Sequence, residues 1–283
     1  MIISVASGKG GTGKTTVAVN LALSLNFKEK LQFIDCDVEE PNADIFIKPS
    51  FENTEPVNIP VPHINMEKCT FCGRCAEICA FNALAVLADN ILVFSELCHG
   101  CGGCAYFCPE KAIEEVPRKI GSLGEGYAGD LEFLSGRLNP GEPMSPPLIK
   151  ALKKKIDLSK NVIIDSPPGT SCPAVTSVKN SDFCLLVTEP TPFGLSDLQL
   201  SVEVLKALQL PAGVVINRSD GRNSIIEDYC TREGIPVLMR IPWDLELARL
   251  YARGEPVVPY APRWKEYFID LWNQLELAAG SKA

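Results

Sequence analysis

The sequence predicts an α/β chain: a mostly parallel sheet covered by helices on both faces, interrupted by a small α+β insertion. Three observations carry that expectation. A glycine-rich loop, Ser7 to Thr16 (SGKGGTGKTT), stands between an apolar run and a helical pattern. Elsewhere, short and almost continuously apolar runs alternate with segments of helical periodicity, as strands buried on both faces require. Eight of the 12 cysteines fall between Cys69 and Cys108, a stretch that breaks this rhythm.

The elements follow in order. Residues 2–6 (IISVA) read as a buried strand, and an amphipathic helix follows the glycine loop through Leu25. Strands are expected at 31–35, 161–165, 183–188, 212–217 and 235–241, with helices around 194–208, 222–233, 244–253 and 263–278. Prolines bracket the cysteine-rich stretch, which predicts an inserted domain over 60–117 and a discontinuous main domain over 1–59 and 118–283. The glycine-rich segment 119–148 reads as the return path, with 121–129 as a flexible tether.

Composition narrows the function. A chain of 283 residues holds one α/β core plus a small accessory domain. A net charge of -8 without a basic patch argues against nucleic acid as a partner. No window is apolar enough for a membrane span and no cleavable signal precedes the glycine loop, so a cytoplasmic protein without a membrane partner is expected. In that compartment dense cysteine points to metal or cluster ligation before disulfides.

The glycine loop fits the phosphate-binding P-loop pattern G-x-x-x-x-G-K-S/T through Gly8, Gly13, Lys14 and Thr15. Its context, after a strand and before a helix, gives the pattern weight. Backbone N–H groups from Gly8 to Thr16, including Gly10, Gly11 and Thr12, form an anion nest at a helix N-terminus. Lys14 then reaches the β- and γ-phosphates of ATP, and the Thr15 hydroxyl holds Mg²⁺. Asp165, closing the strand NVIID, is the expected acidic partner of that Mg²⁺. Ser166-Pro167-Pro168-Gly169 reads as a stiff turn whose Gly169 amide senses a γ-phosphate. An extra lysine, Lys9, lies just inside the first glycine.

The cysteines form an internal repeat. Cys69, Cys72, Cys75 and Cys79, then Cys98, Cys101, Cys104 and Cys108, each read C-x-x-C-x-x-C-x-x-x-C, displaced by 29 residues. Zinc knots and a disulfide knot are the competing readings, but neither needs a third and fourth cysteine at the same spacing in both copies. The runs resemble bacterial two-cluster ferredoxins, in which the fourth cysteine of each run serves the other cluster. The resemblance implies two 4Fe–4S clusters, one on Cys69, Cys72, Cys75 and Cys108 and one on Cys98, Cys101, Cys104 and Cys79. Pro109 follows Cys108 as that pattern expects, whereas Ala80 follows Cys79.

The remainder resembles the MinD/Mrp-type (deviant Walker A) P-loop ATPases, a group that includes the nitrogenase iron protein. Lys9 to Thr16, Asp35-Cys36-Asp37, Asp165 to Gly169 and Thr188-Glu189-Pro190-Thr191 carry the resemblance. It implies a homodimer in which Lys9 is a signature lysine that crosses to the phosphates of the partner's nucleotide, as an arginine finger would. It also implies that Asp37 positions the attacking water or holds Mg²⁺, that Asp35 supports its strand with Asp44 nearby, and that Asn217, Arg218 and the Pro242 segment surround the adenine. With the insert, the chain is similar to MinD-type ATPases carrying an inserted ferredoxin domain.

Cys36, Cys184 and Cys230 read as core residues, Cys172 as a candidate beside the phosphate-sensing turn, and His63 and His99 as isolated. The C-terminal run of Trp264, Tyr267, Phe268, Leu271, Trp272 and Leu275 has helical spacing without a basic polar face, so packing on the sheet is expected over membrane binding. Three functions follow: a slow ATPase coupling dimer rearrangement to electron transfer toward a redox partner protein, an iron–sulfur cluster carrier, or a nucleotide switch with structural clusters.

Overall fold

The computed structural model describes residues 1–25, 30–221 and 224–280. In chain order the elements are β1 (Ile2–Ala6), α1 (Lys14–Leu25), β2 (Leu31–Asp35), α2 (Ala43–Ile47), β3 (Ser50–Ile64), α3 (Arg74–Glu77), β4 (Leu84–Val86), β5 (Ile91–Val93), α4 (Gly103–Tyr106), β6 (Ile113–Ala128) and β7 (Leu131–Leu138). There follow α5 (Pro146–Lys153), β8 (Asn161–Asp165), α6 (Cys172–Val178), β9 (Phe183–Thr188), α7 (Pro192–Ala207), β10 (Ala212–Ser219), α8 (Ser224–Glu233), β11 (Val237–Pro242), α9 (Leu245–Ala252), α10 (Val257–Tyr260) and α11 (Arg263–Gly280). The helix expected over 222–233 begins on two residues that lie outside the described ones.

One sheet runs β11-β10-β9-β1-β8-β2-β7-β6-β3. From β11 through β7 all neighbouring strands run parallel. Strand side chains alternate between two apolar layers. Ile3, Val5, Phe33, Leu185 and Val187 face α1 and α11, whereas Ala6, Cys184, Leu186, Val214 and Ile216 face α7 and α8. Both faces are covered, which is why the strands are apolar almost throughout.

Two expectations change here. The first helix is not amphipathic: α1 buries ten of its twelve residues, from Lys14 to Leu25. Its outward side is covered by α11 and α10, and the buried Asn20 carboxamide accepts from the Val257 and Val258 amides at 2.7 and 2.9 Å. The segment 121–129 is no tether, because 121–128 lies in β6, and β7 follows after a two-residue turn at 129–130. Trp264, Phe268, Leu271, Trp272 and Leu275 of α11 are buried in the core as expected, and among the described residues no helix is long and apolar enough to cross a membrane.

The chain divides into two compact units: Met1–Thr54 with Leu123–Arg137 and Ile149–Ala283, and Glu55–Ser122 with Leu138–Leu148. The second is larger than the expected insert and includes 138–148. Arg118 holds that segment by donating to both carboxylate oxygens of Glu142 at 2.5 and 3.1 Å, and the Asn139 amide donates to the Ile120 carbonyl at 2.9 Å. Pro56, Pro60 and Pro62 lie within β3, the last strand of the sheet, where a missing N–H costs no ladder bond on the outer side.

Candidate functional site: a phosphate loop and two cysteine cavities

In the first unit β1 delivers the loop Ser7–Gly13 to the N-terminus of α1. The loop demands glycine at both ends of its pattern. A Cβ on Gly8 would meet the Asp197 carbonyl oxygen at 2.4 Å, and one on Gly13, whose φ is +90°, would meet the Asn217 carboxamide at 2.3 Å. Gly10 and Gly11 are exposed, Thr12, Lys14 and Thr15 buried, and Thr16 half-buried.

Lys14 lies among three carboxylates. Its Nζ donates to Asp165 Oδ1 at 2.7 Å and stands 3.9 Å from Asp37 Oδ2, with Asp35 adding to the field. Burial alone would lower the Lys14 pKa, but Asp165 raises it on balance. Burial, then the neighbouring Asp165, pushes Asp35 up to about 8; burial also lifts Asp37 to about 6, against Lys14. Three acids therefore crowd one ammonium in a largely buried pocket. Asp165 Oδ2, Ser166 Oγ and Thr12 Oγ1 are buried without hydrogen-bond partners. A divalent cation with phosphate oxygens would satisfy both the charge excess and these orphaned atoms.

Asp35 does more than support its strand: its carboxylate accepts from the Asp37, Asn42 and Ala43 amides at 3.0, 3.2 and 3.1 Å and so shapes the loop that carries Asp37. Asp44 lies in the α2 that follows. The Gly169 amide is engaged, donating to the Ser7 carbonyl at 2.8 Å, so sensing a γ-phosphate would require breaking that bond. Of the residues expected around the adenine, Asn217 Nδ2 donates to the Thr12 carbonyl at 2.7 Å, Arg218 takes a left-handed backbone with φ 53°, and Pro242 pairs with Ser219 at the same ends of β10 and β11.

Sequence reasoning passed over Trp243 here and named Glu189 only within the run Thr188–Thr191, without a role. Trp243, 63% exposed, donates its amide to the Ser219 carbonyl beside Pro242. Glu189 accepts from Arg218 at 2.6 Å and lies 3.7 Å from Lys9 Nζ. The signal for Glu189 was its place just after an apolar parallel strand, where sites of this architecture collect.

The second unit gathers the repeated cysteines into two cavities. One is lined by Cys69, Cys72, Cys75 and Cys108, the other by Cys79, Cys98, Cys101 and Cys104. The repeat persists in the backbone. Left-handed residues occur in pairs 29 apart, Phe71 with Gly100, Gly73 with Gly102 and Asn82 with Lys111, and α3 and α4 are likewise equivalent. Sulfur hydrogen bonds repeat too: Phe71 N to Cys69 Sγ and Gly100 N to Cys98 Sγ, both 3.4 Å, and Ala83 N to Cys79 Sγ and Ala112 N to Cys108 Sγ, both 3.3 Å. Ala80 therefore permits the same turn as Pro109. All 12 cysteines are free thiols, and among the described residues no three metal-binding side chains meet closely enough for a single ion. Thiols that ring a cavity and accept backbone N–H bonds fit a cluster with its own sulfide, which occupies more space than an ion.

Outside the repeat, Cys36, Cys184 and Cys230 are buried core residues. Burial pushes the Cys184 and Cys230 thiols up to about 12 and 11 and Cys36 higher still, which leaves them inert. Cys172 is exposed at the start of α6. His99 stacks on Phe81 with ring centres 3.5 Å apart, at the edge of the second cavity, and is thus not isolated.

A phosphate loop between the first strand and helix of a parallel sheet, with an acidic strand end beside its lysine, defines a P-loop nucleotide-binding protein. The chain belongs to the CobQ/CobB/MinD/ParA nucleotide-binding domain family, whose model matches residues 3–257. An uncharacterised protein of Methanocaldococcus jannaschii is 33% identical over 270 residues, covering 92% of each chain. An iron-sulfur cluster carrier protein of the same organism is 24% identical, covering 99% of this chain and 86% of its own length. Among solved structures, the septum site-determining protein MinD of Pyrococcus horikoshii, complexed with Mg-ADP, superposes with a TM-score of 0.59 at 24% identity, covering 100% of this chain and 98% of that one.

Proposed function

We propose that the protein is a Mg²⁺-dependent ATPase that works as a homodimer and uses its nucleotide state to govern electron transfer through two 4Fe–4S clusters toward a redox partner protein. The observation that carries this reading is the crosswise grouping of eight cysteines into two four-thiol cavities, on a chain that also holds a phosphate loop with two lysines. Bound there, the clusters would supply one-electron redox chemistry. Thr15, Asp37 and Asp165 would hold Mg²⁺, which would screen the phosphate charge.

The chain's own residues do the rest. When ATP binds, Lys14 exchanges Asp165 for the β- and γ-phosphates, and the loop amides take the phosphate oxygens. Asn217, Arg218 and Pro242 border the base. Asp37 orients water toward the γ-phosphate. Lys9 of each subunit supplies positive charge to the other subunit's nucleotide, so a lone subunit hydrolyses ATP slowly.

Protein purified without oxygen is expected to contain about eight irons and eight sulfides per chain with a reducible electron paramagnetic resonance signal. Stoichiometric zinc without sulfide would overturn the cluster reading. Lys9→Ala is expected to keep nucleotide binding and lose turnover by about 10³-fold or more, the scale of a charge supplied in trans. Wild-type turnover in that variant would overturn the trans-lysine reading.

A second reading, cluster carriage, is favoured by relatives named iron-sulfur cluster carrier protein at 24%, 26% and 27% identity. Against it, no C-x-x-C pair exists outside the repeat, and each cavity has four thiols of its own. Incubation with an apo-ferredoxin separates the two: rapid cluster transfer selects the carrier, and retention of the clusters through many redox cycles selects electron transfer.

A further inference from the structure

The sheet order β10-β9-β1 places one acidic residue between two cations. Lys9 follows β1, Arg218 lies in β10, and Glu189 follows the strand between them. The geometry points to Glu189 as a positioning residue that docks Lys9 on its own chain until the phosphates of a second subunit compete for it. This rests on the proposed action of Lys9 across a dimer.

The carboxylate is the fixed member of the trio. The Glu189 carbonyl accepts from the Thr191 amide at 2.8 Å, and Thr188 Oγ1 ties the strand end to the Gly194 carbonyl at 3.0 Å. Any side chain at Gly194 would meet the Glu189 carbonyl oxygen at 2.2 Å, so the turn packs too closely to shift. The Glu189 side chain is 12% exposed, whereas Lys9 is 36% and Arg218 56% exposed. Lys9 precedes Gly10 and Gly11, around which a Cβ would meet nothing within 4 Å. A rigid anion thus holds two movable cations.

The two bonds are unequal. Arg218 donates to Glu189 Oε1 at 2.6 Å, a charge-assisted hydrogen bond, while Lys9 Nζ stays 3.7 Å from Oε2. Arg218 aims the carboxylate, and Lys9 is the looser partner, held by charge rather than by a hydrogen bond. That is the arrangement a transferable lysine needs. Unpaired, its ammonium would stand beside its own phosphate loop and neutralise the nucleotide in cis; held by Glu189, it leaves that role to Lys14. Exchange of one carboxylate for the more highly charged triphosphate on another subunit then carries a favourable charge gain, and Glu189 keeps Arg218 as a partner.

The test is acylation of the full, nucleotide-free chain with an amine-reactive acetylating reagent, read by mass spectrometry at Lys9 against the exposed Lys48. Glu189→Gln is expected to speed acylation of Lys9 by about two- to fivefold, the range of a half-exposed ion pair, and Glu189→Asp is expected to restore part of the protection. No rise in Lys9 acylation, or a rise shared with Lys48, would overturn the proposal. In a second arm, the ATP-analogue concentration giving half-maximal self-association is expected to fall in Glu189→Gln, with no further fall when Glu189→Gln is added to Lys9→Ala. An equal fall in the Lys9→Ala background would show that Glu189 acts on another group and would also overturn the proposal. Because acylation is read without nucleotide, faster acylation with unchanged self-association supports the docking contact and counts against the trans-lysine reading alone.

Discussion

Lys14 answers to three carboxylates, and its removal isolates them. The buried ion pair with Asp165 has one partner 7% exposed and the other 0%. Breaking such a pair costs about 3–5 kcal/mol, so Lys14→Ala is expected to lose stability of that order in urea unfolding as well as nucleotide binding by calorimetry. Tight MgATP binding by that variant would contradict the loop's assigned role. Asp35 presents the opposite case, a buried carboxyl group whose partners are backbone N–H groups. Asp35→Asn turns an amide donor against one of three N–H donors, and a cost of about 1–3 kcal/mol is expected, with ATP turnover reduced because the Asp37 loop loses its template. Wild-type stability and turnover would show that the loop is shaped by other contacts. The close approach at Gly8 and Gly13 and the grouping of Lys14 with Asp165 were legible in the sequence, because the P-loop pattern fixes residue types at fixed spacing. Glu189 was not, because its meaning comes from two neighbours, one far earlier and one later in the chain, brought together by strand order alone.

At the level of elements, β1, β2, β8, β9, β10 and β11 were legible because strands covered on both faces must be apolar throughout. The strands β3, β6 and β7 were not. β6 reads IEEVPRKIGSLGEGYA, whose glycines suggested a tether, yet they serve close approach instead of flexibility. A Cβ on Gly124 would meet the Phe51 ring at 2.9 Å, and one on Gly126 would meet the Ser50 carbonyl oxygen at 2.3 Å. Gly126→Ala is therefore expected to destabilise the chain by about 1–3 kcal/mol, the cost of overpacking, whereas Gly280→Ala, with open space around it, changes little. Equal midpoints for the two variants in urea would restore the tether. The burial of α1 was hidden for a related reason: its outer face is covered by α11, from the far end of the sequence, and no local pattern reports that. In the second unit the cysteine spacing was fully legible, because every turn of the repeat is set by its own glycine or by a left-handed residue 29 positions from its twin.

At the scale of the whole molecule, the phosphate loop belongs to one unit and the cysteine cavities to the other, and the chain passes between them four times, inside the strands β3, β6 and β7 and inside the helix α5. β3 follows directly on α2 and the loop shaped by Asp35, and β8, which ends in Asp165, follows α5, the site of the last passage. The carboxylates that face Lys14 thus lie on segments that lead into the cysteine-bearing unit, as Asp35 and Asp37 do, or back from it, as Asp165 does. Movement of such segments is the usual readout of a γ-phosphate. A cluster's potential depends on charge, solvent exposure and hydrogen bonds to sulfur, and the four N–H bonds to cysteine sulfur supply the groups through which a backbone shift would act. Linkage fixes the size of the answer in both directions. A shift of about 30 mV in a one-electron potential on binding ATP corresponds to about 0.7 kcal/mol and requires reduced and oxidised protein to differ about threefold in ATP affinity. Redox titrations of the nucleotide-free, ADP-bound and ATP-analogue-bound protein are expected to show a shift of that order, matched by the affinity ratio from calorimetry on oxidised and reduced samples. Identical potentials and electron-transfer rates in all three states would detach the ATPase from the clusters and leave them as structural staples of the second unit.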